Sequence, residues 1–313
     1  MQKFKIPNGH ESSKIIVSVS GGKDSTALAC ALMMSGIECV FVFADTGWEF
    51  PQTYEYVDVL ERALGQKIHR VGKPGGMRSA VSSGARFPSR VQRWCTRELK
   101  VEPLREFHDR IAEEFDCDTI NAVGIRADES ADRAELPEFE YSDKWGGYIW
   151  RPLIRWSVAD VLAMHHKFGV PVNPLYRMGF SRVGCFCINA SKEEIKLTAE
   201  HFPERIDELD AMEREGSAER ARRNVDDPGR YTIETATFFQ KTVPALNADG
   251  TPIIGENGKP KRTGVPFPIR EAVAWSKTAR GGREVTQLSL IREDPDGGCF
   301  RWGMCEPPAK ESE

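Results

Sequence analysis

No run of apolar residues in this 313-residue sequence is long enough to span a bilayer, and its start, Met1-Gln2-Lys3-Phe4-Lys5-Ile6-Pro7, holds no signal-peptide hydrophobic region. A cytoplasmic protein without a membrane partner is expected. No internal repeat or low-complexity tract is evident. The net charge of only −4 exerts no global pull toward nucleic acid, so an anionic partner must be held by a local patch. The chain also lacks a Gly-x4-Gly-Lys-Ser/Thr loop, which excludes that phosphate-binding signature. Hydrophobic residues at 40% suffice for a core, and eight cysteines in an intracellular chain point to metal, cluster or redox chemistry before structural disulfides.

What the sequence does hold is Ser20-Gly21-Gly22-Lys23-Asp24-Ser25-Thr26, set between the apolar run Ile15 to Val19 and the helical Ala27 to Leu32. A strand that breaks into paired glycines and then opens a helix lays backbone N–H groups around a phosphate at the positive helix end. Gly21 and Gly22 let the main chain approach a polyphosphate, and Lys23 offers a point charge. Ser20, Ser25 and Thr26 offer hydroxyls to phosphate or magnesium. Asp24 either holds a divalent ion or caps the helix.

Strand candidates at residues 15–19, 38–43, 67–71 and 119–125 alternate with helical segments at 52–64 and about 101–115. That alternation predicts a parallel sheet with right-handed crossovers. Ligands of such sheets sit at the carboxyl ends of strands, where Ser20, Asp45 and Arg126 fall. Two regions are expected: residues 1–180 as the nucleotide-binding domain and 181–313 as a cysteine-containing helical and irregular region. Residues 191–223 predict one charged helical stretch capped by Ser191, and two tight turns flank 251–255. Between Lys67 and Arg110 basic residues recur with few acids before Glu98, and with Gly72, Gly75, Gly76 and Gly84 they suggest a mobile loop for a phosphate-bearing substrate. Cys30, Cys39 and Cys117 sit in or beside apolar runs and are expected to pack in the core. Cys95, Cys185, Cys187, Cys299 and Cys305 lie among glycines, arginines and turns.

SGGKDS resembles the PP-loop of the N-type ATP pyrophosphatases. Phe43 to Tyr54, Trp94 to Leu104, Gly124 to Ser130 with Arg133, Arg151-Pro152-Leu153, Asn173-Pro174-Leu175-Tyr176 and Gly184-Cys185 are similar to segments of the phosphoadenylyl-sulfate reductase family. The resemblance runs from about Lys14 to Ile195. It implies an α/β fold of the adenine nucleotide α-hydrolase-like, HUP type: a parallel sheet flanked by helices, followed here by a helical and irregular extension. It also implies ATP and Mg²⁺ as ligands. Lys23, Asp24 and Arg126 would be catalytic, and Ser20 through Thr26, Asp45, Thr46, Gly47 and Arg133 would line the nucleotide site.

Iron–sulfur members carry cluster ligands where this chain has Cys95 and Cys185/Cys187, so a [4Fe–4S] cluster completed by Cys299 or Cys305 is implied, with zinc as the alternative. The chain departs from that pattern in having Cys95-Thr96 for adjacent cysteines and Cys185-Phe186-Cys187 for Cys-x-x-Cys. It also lacks the Glu-Cys-Gly-x-His segment of sulfonucleotide reductases. The expectation is therefore an enzyme that cleaves ATP to AMP and pyrophosphate to adenylylate an acceptor, for sulfur transfer or nucleic-acid modification. Its partners would be a nucleic-acid acceptor and a sulfur-donor protein. The alternatives are a reductase releasing sulfite from phosphoadenylyl or adenylyl sulfate, and a non-catalytic nucleotide sensor or nucleic-acid-binding partner.

Overall fold

The computed structural model describes residues 3–279, so the expectations placed on Cys299 and Cys305 lie outside the described residues. These residues divide into two compact units. One comprises residues 3–77 and 94–186, the other residues 78–93 and 187–279.

The first unit is built on a six-stranded sheet. Its elements begin with β1 (Lys14–Val19), α1 (Lys23–Met34), β2 (Cys39–Ala44), α2 (Pro51–Leu64) and β3 (Ile68–Val71). Next comes α3 (Gly76–Gly84), whose first two residues belong to this unit and the rest to the other. A helical turn at Trp94–Thr96 widens into π-type winding over Arg97–Val101 and continues as α4 (Glu102–Phe115). β4 (Thr119–Ala122), β5 (Phe139–Ser142), β6 (Gly147–Trp150) and α5 (Val158–Phe168) complete it.

The strand order is β3-β2-β1-β4-β6-β5; every neighbouring pair is parallel except β5 with β6. The sheet is thus the mostly parallel, helix-flanked α/β arrangement that the alternation of apolar runs predicts. Strands buried on both faces need apolar side chains at consecutive positions, which is what Ile15-Ile16-Val17 and Phe41-Val42-Phe43 supply. Leu28, Leu32, Val57 and Leu60 pack on one face of the sheet. Phe107 and Ile111 of α4 cover the other. Replacing a fully buried leucine such as Leu28 by alanine would cost roughly 2–5 kcal/mol.

Chain order runs outward from β1 to β3 on one side and resumes at β4 on the other. The loops after β1 and β4 therefore diverge, opening the crevice in which open α/β sheets bind their ligands. β4 stops at Ala122, short of the expected Ile125, and the residues that follow turn toward α1.

The second unit holds α6 (Lys192–His201), α7 (Pro203–Asp226), the antiparallel pair β7 (Phe239–Pro244) and β8 (Arg262–Phe267), and α8 (Ile269–Ser276). Ser191 caps α6, its hydroxyl accepting from the Glu194 amide while Glu194 returns a bond to the Ser191 amide. The expected single helical stretch over 191–223 is broken at Phe202. Pro203 cannot continue the preceding helix but suits the first turn of the next.

Candidate nucleotide site

The loop Ser20-Gly21-Gly22 leads from β1 into α1, and its shape depends on glycine at two places. Gly21 has φ +74°, and a Cβ there would lie 2.9 Å from Thr53 Cγ2. Across the crevice, a Cβ on Gly124 would come within 2.7 Å of the Asp24 carbonyl group and 2.8 Å of the Ser25 nitrogen. Gly124 therefore lets the β4 loop press against the start of α1. Gly22, at the helix cap, gives no side-chain acceptor to the first-turn amides. Such an end is the ordinary setting for an anion.

Side chains distant in sequence hold this loop. Asn173 donates from Nδ2 to the Gly21 carbonyl (3.1 Å), and the Lys23 amide donates to the Tyr176 hydroxyl (3.2 Å). The buried His165 ring lies with Nε2 2.8 Å from the Lys23 carbonyl and Nδ1 3.1 Å from that of Val170. Burial pushes the Tyr176 hydroxyl well above its ordinary value, so it remains a neutral phenol. Ser25 Oγ accepts from the Ser20 amide and donates to the Gly22 carbonyl, both at 3.1 Å, which closes the loop on itself.

At the centre stands a buried charged triad. Asp24 Oδ2 is 2.6 Å from Lys23 Nζ, and its Oδ1 is 2.6 Å from Arg126 Nε. The Arg126 side chain is only 3% exposed and that of Lys23 7%. Two cations thus share one carboxylate in a place shielded from solvent, and Arg126 Nη1 also lies 3.7 Å from the exposed Asp128 carboxylate. Arg126 also donates from Nη1 to the Trp156 carbonyl, and its amide donates to Glu129. Arg133 is half-exposed and ion-paired to Glu129.

This geometry bears on magnesium. Asp24 has one oxygen on each cation, so its carboxylate does not fit as a protein ligand for a divalent ion. Among the described residues no group of three or more His, Cys, Asp or Glu side chains stands together as a metal site.

Asp45 follows β2, and its Oδ1 accepts from the Gly47 amide (2.8 Å) and the Tyr54 hydroxyl (2.7 Å). Tyr54 also reaches Glu49 at 3.2 Å. The buried Glu49 carboxylate accepts from the Thr46 hydroxyl and from the Thr46 and Trp48 amides. The Thr46 side chain is therefore committed within the protein, while Asp45 stays half-buried at the strand end. Burial raises the Tyr54 hydroxyl, reinforced by its hydrogen bond to Asp45 and the Glu49 charge, so it too remains protonated.

The sequence model of the phosphoadenosine phosphosulfate reductase domain matches residues 14–190, more than half of the chain. The chain belongs to this family. Within the PP-loop superfamily, the phosphoadenosine phosphosulfate reductase family consists of nucleotide-using enzymes, and the crevice just described falls inside the matched residues. An uncharacterised 37.8 kDa protein of Escherichia phage 186 is 30% identical, covering 95% of this chain and 98% of its own. The adenosine 5′-phosphosulfate reductase of Allochromatium vinosum is 29% identical over 56% of this chain and 68% of its own. The phosphoadenylyl-sulfate reductase crystal structure from Candida auris has 22% identity and a TM-score of 0.44, covering 55% of this chain and 81% of its own.

The remaining expectations concern cysteines and basic residues. Burial pushes the Cys30 and Cys39 thiols up to about 12, although Cys39 and Cys117 are only half-buried. Cys185 ends the first unit, where it bridges Glu49 through the backbone and has Lys100 Nζ 3.8 Å from its sulfur. Cys187 begins the second unit and accepts from the Asn189 amide. Cys95 lies in the helical turn before the π-type winding. A [4Fe–4S] cluster takes four thiolates as a rule, and the described residues do not assemble a cradle for one.

Part of the basic run is structured and internally paired. Residues 76–84 are helical, and most of the cations have acidic or carbonyl partners. Arg70 pairs with Asp58 and Glu61, Lys73 with Glu102, Arg78 with Glu215, and Arg97 with Glu98. Arg105 donates to the Lys144 and Trp145 carbonyls.

Sequence reasoning did not single out Glu49 or His165. The signal of His165 is spatial, since Lys23 lies 142 residues away in sequence, whereas Glu49 acts on Thr46 and Trp48 close beside it.

Proposed function

We propose that this protein cleaves ATP between the α- and β-phosphates and transfers AMP to an acceptor, as a step in sulfur transfer or nucleic-acid modification. The observation supporting the reading is the buried Lys23–Asp24–Arg126 triad beside the Ser20–Gly22 loop at the crevice of the sheet. In this reaction an acceptor oxygen or sulfur attacks the α-phosphorus. A new bond to phosphorus forms as the bridging bond breaks, and pyrophosphate leaves with the bonding electron pair. A sulfur nucleophile then displaces AMP from the activated acceptor.

Negative charge grows on the leaving pyrophosphate, and Lys23 and Arg126 are fixed cations suited to offset it in a site shielded from water. Amides at the open end of α1 steady the phosphates. Asp24 holds the two cations in place rather than holding a metal, and the nucleotide enters as its magnesium salt, coordinated by its own phosphates. Asp45 is suited to accept from the ribose hydroxyls. No step is assigned to an iron–sulfur cluster.

The test is incubation with Mg-ATP and measurement of AMP and pyrophosphate, with and without nucleic acid and a sulfur donor. Their formation in equal amounts, lost in Lys23→Ala, is expected. A second reading, reduction of a sulfonucleotide to sulfite, draws support from the adenosine 5′-phosphosulfate reductases among the relatives. Thioredoxin-dependent sulfite release by the intact protein, without ATP cleavage, would establish it instead.

A further inference from the structure

Within the second unit, residues 85–93 run from the end of α3 to a sharply exposed tip. The base of this segment is pinned. Arg220 donates from Nε to the Ala85 carbonyl (2.7 Å), Arg223 from Nη2 to that of Ser83 (2.9 Å), and Phe87 meets Phe238 edge to face at 5.9 Å. The tip is closed by a compact turn in which the Ser89 amide donates to the Gln92 carbonyl (3.1 Å) and the Gln92 amide donates to Ser89 Oγ (2.9 Å). Arg90 and Val91 therefore occupy the apex, and Arg93 follows directly.

Val91 is 93% exposed. From Lys73 to Arg97 the sequence contains no aspartate or glutamate. Lys73, Arg78 and Arg97 are nonetheless matched by carboxylates from elsewhere, whereas Arg90 and Arg93 make no ion pair among the described residues. An apolar side chain is thus held out on a pinned turn between two cations.

We propose that Arg90-Val91-Gln92-Arg93 is a nucleic-acid contact, the arginines binding backbone phosphates and Val91 pressing its apolar side chain against the bases. The proposal rests on the reading of a nucleic-acid acceptor and names the residues that hold it. A protein whose net charge is −4 gains attraction for a polyanion only from such a local concentration of cations. Arginine suits the role because its planar fork grips phosphate oxygens two at a time. Apolar side chains pressed against base steps are a means of contact used by minor-groove proteins, which also place arginines and lysines there. The closed turn lowers the ordering cost of binding.

The experiment measures anisotropy of labelled duplex DNA and of a labelled RNA hairpin with the intact protein over a range of salt concentrations, which tells the two phosphate sources apart. Arg90→Gln and Arg93→Gln should each lower the slope of log affinity against log salt by about 0.9 on duplex DNA, or about 0.7 on single-stranded stretches. Val91→Ser should weaken binding about tenfold with the slope unchanged. Arg78→Gln, whose arginine is already paired to glutamate, should leave both unchanged. Thermal unfolding checks that each variant is folded. Binding by the intact protein that is insensitive to all three tip substitutions, or no binding to either nucleic acid, would overturn the proposal. Binding of Mg-ATP without nucleic acid, measured in parallel by calorimetry, reports separately on the proposed nucleotide site and does not depend on this tip.

Discussion

Arg126 Nε stands 2.6 Å from Asp24 Oδ1, although 102 residues separate the two in sequence. This contact joins the loop after β4 to the first turn of α1, the two sides of the crevice where the sheet reverses its strand order. It also explains why Lys23 and Arg126 can both be buried. The Asp24 carboxylate lies 2.6 Å from each and offsets both charges, and Asp128 lies 3.7 Å from Arg126.

That arrangement ranks two substitutions in opposite orders for stability and for turnover. Asp24→Asn removes the carboxylate that both buried cations share, leaving Arg126 the longer contact with the exposed Asp128 (3.7 Å), and breaking a buried pair in this way costs roughly 3–5 kcal/mol. Lys23→Met leaves the Asp24–Arg126 pair intact and removes one of two cations, so its stability cost should be smaller. Its effect on pyrophosphate release should be the larger, because a charge facing the leaving group is gone. Chemical denaturation and pyrophosphate assays on both variants check the ranking, and a Lys23→Met protein less stable than Asp24→Asn would refute it.

Gly124 offers a test of the close approach between the β4 loop and α1. A methyl group there meets backbone atoms of Asp24 and Ser25, which cannot swing aside as a flexible side chain can. Gly124→Ala should therefore displace the loop, costing about 1–3 kcal/mol of stability. ATP binding should weaken at least about tenfold, a loss worth 1.4 kcal/mol. Gly184→Ala is the control, since its added methyl has nothing within 4 Å. Calorimetric titration showing equal ATP affinity in the two variants would count against the packing argument.

Much of the sheet is legible in the sequence because strands buried on both faces require apolar runs, which Ile15 to Val17 and Val40 to Phe43 supply. Ser20, Asp45 and Arg126 could be placed at strand ends for the same reason. What remained hidden were relationships between distant side chains. Arg126 looks like a substrate ligand in sequence, and only the fold shows that Asp24 is its partner. The basic run between Lys67 and Arg110 looks like a free cationic loop in sequence because the carboxylates that neutralise Arg70, Lys73 and Arg78, those of Asp58, Glu102 and Glu215, lie 12 to 137 residues from the cations they meet. The shorter β4 has the same cause: Gly124 reads as strand in sequence, yet its lack of a side chain serves the contact with α1.

The second unit contains a pH-sensitive joint. Glu213 of α7 accepts from the Phe238 amide (2.8 Å) and from the Ile269 amide at the start of α8 (2.9 Å). Burial raises its carboxyl from 4.5 to about 7, with Asp210 and Glu271 adding to the rise and the two amide bonds opposing it. A carboxyl raised in the folded state favours folding when protonated. Its contribution is full below about pH 4.5 and is lost as pH rises through about 7. Thermal unfolding between these limits and pH 8 should show a steeper fall for the intact protein than for Glu213→Gln, whose side chain does not titrate. Parallel curves would rule out Glu213 as the source.

Tyr54 provides the last prediction, concerning how the proposed nucleotide is oriented. Its hydroxyl donates to Asp45 Oδ1 and lies within reach of Glu49, so it ties the half-buried carboxylate to a buried anchor held by Thr46 and Trp48 amides. If Asp45 accepts from the ribose, Tyr54→Phe should loosen that carboxylate without touching the phosphate loop. ATP affinity should then fall about five- to tenfold, the worth of one hydrogen bond of about 1–1.5 kcal/mol. Binding of 2′,3′-dideoxy-ATP, which has no ribose hydroxyls to offer, should change little. The informative quantity is the ratio of the two affinities, because a general loosening of the site would weaken both ligands equally. Calorimetry on the intact protein and the variant gives that ratio directly, and a ratio unaltered by Tyr54→Phe would remove Asp45 from the ribose.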